Sequence, residues 1–423
     1  MLQTLAVIFL ICLLMNIPIA ISLGIACLVF TIFFTSFPVD LITQAMMSAL
    51  DTMPLLAVPF FILTGDLMME GGISKRLIGF CDALIGKVTG SLGLVTIAAS
   101  MIFAAISGSG PATVACIGGI TIPAMKEENY GASFASTIAC VSGTLGPLIP
   151  PSISFIMYGI ICEVSITDLF IAGIVPGILI AIVLMVWVRV TIKTKNIPIV
   201  RKAKNVKLWP AFKEAFWSLL IPVLILGGIY GGVVTPTEAA VVAVVASLVI
   251  GIFVYRELNF KTIFAAFKRT VLTSGTFLIL VSTATAFGRL LTIGNVPQSI
   301  AASILGITSN KIIILLLINV FLLVVGMFID TTSAIILLAP LLLGVVLPLG
   351  ITPLHFGVIM VVNLVIGMST PPVGTSLFVA TRIGGVKMDD MVKWLIPAIV
   401  IMFLVQLLIT YSPPIAIGFV AFR

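Results

Sequence analysis

Long, uninterrupted apolar runs recur along the whole of this sequence. Four examples are residues 217–234, 239–254, 312–329 and 395–410, and each approaches the roughly 20 residues that a helix needs to cross a bilayer. Apolar and polar residues do not alternate within these runs, as they would in the strands of a membrane barrel. Hydrophobic residues make up 61% of the chain and charged residues only 9%. The sequence therefore predicts an all-α integral membrane protein that crosses a lipid bilayer several times.

Much of the net charge of +7 lies in one basic segment between two apolar runs. Its basic residues are Arg189, Lys193, Lys195, Arg201, Lys202, Lys204, Lys207 and Lys213. The positive-inside rule assigns such a loop to the cytoplasm, so we expect no nucleic-acid partner. The polar stretch 193–213 is too short to fold alone, and a soluble binding or energising domain is expected to be a separate polypeptide. Residues 1–14 lack the basic start of a signal peptide and are expected to be structural.

The common catalytic motifs are absent from the sequence. It contains no GxxxxGK[ST] phosphate loop, no GxSxG and no HExxH. The single histidine, His355, cannot build a histidine-based metal site or triad alone, and the six cysteines form no CxxC pair. We therefore expect neither enzymatic activity nor an organic cofactor.

The chain resembles itself at a nearly constant offset. Pro150 and Pro371 close two similar segments 221 residues apart (371 − 150), and the same offset relates Asp168 to Asp389. A self-similarity of this size predicts two structural repeats. We place them at residues 1–200 and 214–423, joined by a basic cytoplasmic connector at 201–213.

Charge predicts that the two repeats have opposite orientations in the membrane. The connection 35–51 contains no Lys or Arg, whereas its counterpart 255–270 contains four. The turn 163–168 is acidic, whereas its counterpart 381–393 carries three basic residues. The matching loops are thus expected on opposite sides. Inverted repeats are typical of secondary transporters, whose substrate and ion sites lie near the bilayer midplane.

Each half has two places where an apolar run breaks into small polar residues, and three of these four segments also contain Gly and Pro. They are residues 107–113 and 142–154 in the first half, and 330–333 and 363–376 in the second. Pro-Pro cannot continue a helix, and opened backbone at this depth persists only where protein or a cavity surrounds it. Its carbonyls, with nearby Ser and Thr hydroxyls, are suited to Na⁺. The alternative is a proline kink whose serines bond back to the helix.

Asp330 is the most informative single residue, because it lies between two apolar runs. An intramembrane carboxylate usually marks an ion or proton pathway; the alternative is an aspartate that caps a helix. The repeat places Asp330 opposite Ser109. Arg289 is a candidate for meeting an anionic substrate, with snorkelling to the membrane interface as the alternative.

Four motifs together resemble the large membrane subunit of tripartite ATP-independent periplasmic (TRAP) transporters. They are residues 107–113 (Ser-Gly-Ser-Gly-Pro-Ala-Thr), 143–152 (Gly-Thr-Leu-Gly-Pro-Leu-Ile-Pro-Pro-Ser), 235–240 (Thr-Pro-Thr-Glu-Ala-Ala) and 330–333 (Asp-Thr-Thr-Ser). The resemblance implies an inverted-repeat elevator with about 10–12 membrane segments and two re-entrant helical hairpins. It also implies a bacterial inner-membrane location, a small membrane subunit of about four helices, and a periplasmic binding protein that delivers a carboxylate or sialic acid.

The resemblance also implies which residues bind sodium and substrate. One sodium site would involve Ser107, Gly108, Ser109, Gly110, Thr144, Gly146 and Pro150. The other would involve Asp330, Thr331, Thr332, Gly367, Thr370 and Pro371. The substrate would lie between the hairpin tips, near Ser154 and Thr375, with Na⁺ as the coupling ion and the only metal. Two alternatives stay open: an ion-coupled anion carrier of a related family that works alone, and an anion channel.

Overall fold

The first half of the protein is a series of apolar helices. The computed structural model describes residues 2–35, 37–86, 88, 90–200, 207–296, 299 and 310–422. The first-half helices are α1 (Leu2–Leu14), α2 (Ile19–Phe34), α3 (Asp40–Leu50), α4 (Ala57–Glu70), α5 (Ile73–Ile85), α6 (Ser91–Ser107), α7 (Gly110–Thr113), α8 (Gly119–Glu127), α9 (Ala132–Ser142), α10 (Ile153–Ile161) and α11 (Ile166–Thr194). A π-helical turn, Val114–Gly118, joins α7 to α8.

The second half repeats the same kind of element. Its described helices are α12 (Leu208–Tyr230), α13 (Pro236–Val249), α14 (Phe260–Ile293), α15 (Lys311–Phe328), α16 (Thr331–Val346), α17 (Pro353–Gly367), α18 (Thr375–Gly384), α19 (Met388–Tyr411) and α20 (Pro413–Ile417). Eight helical stretches in the described residues are long and apolar enough to cross a membrane, and five shorter apolar helices accompany them. The predicted all-α, multi-pass membrane protein is confirmed.

All four predicted breaks are present as interruptions between helices. Residues 108–109 separate α6 from α7, and residues 329–330 separate α15 from α16; in each case the chain turns back. We call α6 to α8 hairpin one, and α15 with α16 hairpin two. Residues 143–152 separate α9 from α10, and residues 368–374 separate α17 from α18; we call these segments break one and break two. The Pro-Pro pairs that predicted them lie inside both breaks.

Helix α14 begins earlier than its charges suggested. Asn259 and Thr262 form a capping box, in which each side-chain oxygen accepts from the other residue's backbone N–H. The helix therefore starts at Phe260, inside the predicted connection 255–270. Thr235 and Glu238 form the same arrangement at the start of α13. A capping box provides hydrogen-bond partners for backbone N–H groups that would otherwise lack them. A helix can therefore begin within a polar part of the sequence.

The connector between the two halves is shorter than its predicted range on the C-terminal side. Helix α11 ends at Thr194 and α12 begins at Leu208, so residues 208–213 are helical. Residues 201–206 of the predicted connector lie outside the described residues.

The helices assemble into two groups that meet along one face. In the outer group, α4 packs against α13 and α14, and α14 packs against α2 and α3. In the hairpin group, α15 packs on α17, and α9 packs on α18 and α19. Contacts between the groups run from α4 to α6 and from α14 to α16. Helix α5 packs on both α12 and α6, and so links the two groups.

Candidate functional site

The tip of hairpin one is held in a tight turn beside break one. Ser107 ends α6, and its hydroxyl lies 3.1 Å from that of Thr113. Gly108 has a φ of +60° and would place a Cβ 2.9 Å from the Pro151 carbonyl oxygen, so only glycine fits there. The Ser109 carbonyl accepts from the backbone N–H and the hydroxyl of Thr113. The first small polar segment is thus a rigid turn inside the protein.

The tip of hairpin two places a carboxylate where hairpin one has a serine. Asp330 caps α16: its Oδ1 accepts from the backbone N–H groups of Thr332 at 3.0 Å and Ser333 at 3.1 Å. The Ser333 hydroxyl donates to the other carboxylate oxygen. Asp330 is nevertheless exposed, because it faces two cavities. Capping therefore leaves one edge of the carboxylate open to a ligand.

A small cavity of about 170 Å³ lies where the two tips meet. It brings together eight of the predicted residues from both halves: Gly108, Ser109, Gly110, Ser154, Asp330, Thr331, Thr332 and Thr375. The hydroxyls of Thr331 and Thr375 are buried and have no hydrogen-bond partner in the described structure. Unsatisfied hydroxyls of this kind are uncommon in folded proteins, and they supply free oxygens at the junction.

Two breaks pack directly behind the tips through glycines. A Cβ at Gly146 would lie 2.4 Å from the Ser109 carbonyl oxygen, and a Cβ at Gly367 would lie 2.6 Å from the Gly326 backbone. Both distances are too short for a side chain, so the backbones touch. Break one, and the end of α17 that leads into break two, are therefore fixed against their own hairpins.

Ser107 lines only the larger cavity, described below, and the remaining predicted residues line neither cavity. Thr144 and Thr370 are buried and bond back to the carbonyls of Val141 at 2.7 Å and Ile366 at 2.8 Å. Pro150 and Pro371 lie within the breaks. Arg289 is exposed on α14. Arg269, which lines the larger cavity described below, lies twenty residues earlier on the same helix. The two arginines are therefore about 30 Å apart along the helix axis.

A second, larger cavity of about 840 Å³ extends from the tips between the two helix groups. Ser107, Ser109, Asp330 and Thr332 line its inner end. Along α14 it runs from Leu280 back to Arg269, a distance of about 16 Å. Its remaining wall is mostly apolar, formed by α2, α4 and α6. A cavity of this kind fits a small molecule whose few polar groups meet a few fixed partners.

Sequence reasoning missed the ionic cluster at the outer end of this cavity. The Arg269 guanidinium donates to Glu70 Oε1 at 2.8 Å, and its Nε lies 3.6 Å from Asp66 Oδ1. Thr270 donates to the other oxygen of Asp66 at 3.1 Å. The available signal was that Asp66 and Glu70 are four residues apart and share one face of α4. Their partner lies about two hundred residues away, which no local pattern reveals.

The oxygens around the tips are chemically suited to a small, hard cation. They are hydroxyls, backbone carbonyls and one carboxylate, and hard cations prefer oxygen ligands. The carboxyl-terminal ends of α6, α9, α15 and α17 all point into the breaks or tips, and helix carboxyl termini carry partial negative charge.

Hairpins that end inside the protein, broken helices behind them and a cavity between helix groups define a polytopic membrane transport protein. Comparison with solved structures agrees at the level of fold. The crystal structure of the Alcanivorax borkumensis YdaH transporter matches 98% of this chain and 100% of its own chain, with a TM-score of 0.65 and 15% sequence identity.

The chain belongs to the DctM component family of the tripartite ATP-independent periplasmic transporters, whose model matches residues 6–415. The resemblance seen in the four motifs is thus confirmed. Relatives in this family are named permeases, which are transporters and not enzymes.

Three relatives cover nearly the whole chain. The isethionate TRAP transporter permease DctMQ of Oleidesulfovibrio alaskensis is 45% identical over 96% of this chain, which spans 64% of that protein's length. The C4-dicarboxylate TRAP transporter large permease DctM of Pseudomonas aeruginosa is 39% identical over 86% of this chain and 85% of its own. The sialic acid TRAP transporter large permease SiaM of Vibrio cholerae is 39% identical over 94% of this chain and 93% of its own.

Proposed function

We propose that this protein is the large permease subunit of a sodium-coupled importer of small organic anions in a bacterial inner membrane. The observation that carries the proposal is the meeting of the two hairpin tips, with Ser109 and Asp330 on one cavity. Family membership supports the transport function, and the names of the relatives support C4-dicarboxylates, sialic acids or a small sulfonate as the substrate class.

Sodium coupling is supported by the oxygen chemistry of the two tips. The first site would use the turn Ser107–Gly110 with break one, and the second would use Asp330, Thr331 and Thr332 with break two. Na⁺ in both sites would neutralise the Asp330 carboxylate, and this makes the cavity favourable for an anion. The anion would lie between Ser154 and Thr375, which line the small cavity from opposite halves.

The meeting of two helix groups along one cavity supports an elevator motion. The hairpin group would carry ions and substrate past the outer group, which stays fixed. Basic residues cluster near the ends of α4 and α14 that flank the outer end of the large cavity. By the positive-inside rule that end is cytoplasmic, so the cavity would open inward.

The proposed partners follow from the family. A small membrane subunit would extend the outer group. In the longer relative, the name DctMQ suggests that this small subunit is fused to the large one. A soluble periplasmic protein would deliver the anion to the hairpin group. Lipid would contact the apolar outer faces.

The test is uptake into proteoliposomes that contain the permease with its small subunit, and the binding protein outside. Labelled succinate, N-acetylneuraminate and isethionate are offered in turn, under an inward Na⁺ gradient or with choline. We expect one of these anions to accumulate only with Na⁺ and the binding protein.

Two other outcomes would reject parts of the proposal. Accumulation without the binding protein would identify a carrier that works alone. Flux that only equilibrates the anion, and that ignores the Na⁺ gradient, would identify a channel.

A further inference from the structure

Hairpin two contains one buried polar side chain in an otherwise apolar helix. Asn319 is the only residue with a polar side chain between Lys311 and Phe328, the two ends of α15. It is 0% exposed and lies where α15 packs on α17 and α19. A single buried asparagine between apolar helices can specify their register, because its amide must find partners. Asn319 is therefore suited to fix where α15 sits on its neighbours.

Three buried polar side chains of α17 and α19 meet Asn319. The Asn363 Nδ2 donates to the Asn319 Oδ1 at 2.7 Å and to the Ile359 carbonyl at 2.8 Å. The Gln406 Nε2 lies 2.9 Å from the same Asn319 oxygen and 3.0 Å from the same carbonyl. The Thr410 hydroxyl lies 3.0 Å from the Asn319 Oδ1. We call Asn319, Asn363, Gln406 and Thr410 the polar network.

The first half packs the equivalent helices without such a network. Helices α6, α9 and α11 contact one another as α15, α17 and α19 do. The 221-residue offset between the halves relates Asn319, Asn363 and Gln406 to Ala98, Ser142 and Met185. The Ser142 hydroxyl donates to the Ile138 carbonyl of its own helix at 2.6 Å. The fold of the repeat therefore does not require the polar network.

The polar network also leaves two of its own oxygens unpaired. The Asn363 Oδ1 and the Gln406 Oε1 are buried and have no hydrogen-bond partner among the described residues. A buried polar atom without a partner destabilises the folded state. Some proteins retain buried polar groups because these groups specify one arrangement of the chain. The cost of the network and its confinement to one half indicate a role other than stability.

The polar network lies close to break two and to the tip of hairpin two. Asn363 is five residues before break two begins. Gly326 follows Asn319 by seven residues and so lies on the same face of α15. A Cβ at Gly326 would lie 2.7 Å from the Leu364 carbonyl oxygen, so the two backbones touch there. The position of Asp330, four residues beyond Gly326, is therefore tied to the register that Asn319 takes on α17.

We propose that Asn319, Asn363 and Gln406 are positioning residues that fix hairpin two on α17 and so set the place of Asp330 against break two. They line neither cavity and act through the backbone of α15. Electrostatic attraction depends on distance, so the hairpin whose tip carries the carboxylate is the one that is held. The first tip carries the neutral Ser109 at this position. The inference rests on the proposed sodium coupling and adds residues that touch neither ion nor anion.

The experiment measures thermal unfolding of the purified full-length permease as Na⁺ replaces choline at constant ionic strength. The wild type is compared with Gln406→Met and with the triple variant Asn319→Ala/Asn363→Ser/Gln406→Met, in which each new residue is the first-half counterpart. We expect the triple variant to raise the sodium concentration for half-maximal stabilisation by about tenfold. Gln406→Met should change it in the same direction by a smaller factor. Stability in choline should stay close to that of the wild type, because the unpaired oxygens are removed together with the hydrogen bonds.

Tyr255→Phe is the control for the loss of buried hydrogen bonds in general. The Tyr255 hydroxyl donates to the Glu214 carbonyl at 2.9 Å and lies 2.8 Å from the Ser218 hydroxyl, so it joins α12 to the segment that follows α13. Phenylalanine removes these bonds, and stability in choline should fall. The sodium midpoint should equal that of the wild type, because Tyr255 lies outside both cavities and the polar network.

The outcomes separate this inference from the proposed function. A wild type stabilised by Na⁺, with unchanged midpoints in both variants, would overturn the inference and leave sodium coupling intact. A fall of stability in choline without a change of midpoint would mean that the network only holds the fold, and this also overturns the inference. If the triple variant does not fold, Gln406→Met decides alone. A wild type with no Na⁺-specific stabilisation would reject both the coupling and the inference.

Discussion

Asp330 illustrates how one residue serves both the fold and the site. Its carboxylate caps α16 through two backbone N–H groups, yet the side chain remains exposed to both cavities. Asparagine caps a helix about as well as aspartate, whereas alanine costs about 1 kcal/mol. The two roles are therefore separable by substitution.

We expect Asp330→Asn to abolish sodium-driven uptake while leaving thermal stability in choline close to that of the wild type. The amide keeps the cap and removes the charge that would balance Na⁺. Asp330→Ala should lose uptake and also about 1 kcal/mol of stability. Uptake in proteoliposomes and unfolding in choline measure the two effects. Normal accumulation by Asp330→Asn would exclude the carboxylate from the mechanism.

Arg269 is a second residue whose position in the structure predicts a role. It offsets the negative charges of Asp66 and Glu70 at the outer end of the large cavity, and under the proposed function an organic anion would pass this cluster. A hydrogen bond to a charged group contributes roughly 1.5–3 kcal/mol, and each 1.4 kcal/mol is tenfold in affinity. We expect Arg269→Gln to raise the half-saturating anion concentration by roughly tenfold or more, measured as concentration-dependent uptake.

Lys268→Gln provides the control for Arg269. Lys268 is exposed, adjacent in sequence and absent from the lining of both cavities, so the same charge is lost without the contact. Equal effects of the two substitutions would indicate a general electrostatic influence instead of a local one.

At the scale of elements, glycines decide whether hairpins and breaks can pack. Gly146 touches the Ser109 backbone, and a methyl group there would meet an oxygen at 2.4 Å. We expect Gly146→Ala to destabilise the protein by about 1–3 kcal/mol, as overpacking does, and to remove stabilisation by Na⁺. Differential scanning fluorimetry with and without Na⁺ measures both changes.

Gly227→Ala is the matched substitution in a helix interior. No atom lies within 4 Å of the added Cβ on α12, so alanine should be neutral or raise stability by about 0.5–1 kcal/mol. A similar loss in both variants would contradict the proposed close packing of hairpin one on break one.

The elements of this protein were predictable to different degrees for physical reasons. Three breaks follow from Gly and Pro residues, whose backbone restrictions are local, and the fourth follows from the polar residues 330–333 inside an apolar run. The structure has an interruption at all four places. The start of α14 depends on a capping box at Asn259 that outweighs the polar sequence around it. The Arg269 cluster depends on contacts between distant segments. Sequence patterns name the polar residues of a site, but tertiary packing determines which of them meet.

At the scale of the whole molecule, the two ends of the large cavity are different. Its inner end lies at the hairpin tips and its outer end at Arg269, near the basic start of α14 and the acidic end of α4, which Lys75 and Arg76 follow. If this end is cytoplasmic, water-soluble reagents reach the cavity wall only from that side. Thr276 lines the cavity and is exposed, and it lies about 10 Å along α14 from Arg269.

We expect a cysteine at Thr276 to react with a membrane-impermeant thiol reagent in inside-out vesicles and not in intact right-side-out cells. The background carries Cys162→Ser, because Cys162 is half-buried whereas the other five cysteines are buried. Ile279→Cys is the control: it is exposed on the same helix but does not line the cavity, so lipid should shield it from either side. Labelling of Thr276→Cys from outside would reverse the proposed orientation. Labelling from both sides would indicate that the protein samples both openings during the assay. Adding Na⁺ should then change the ratio of the inside to the outside labelling rate, because an ion that binds two states unequally shifts their populations.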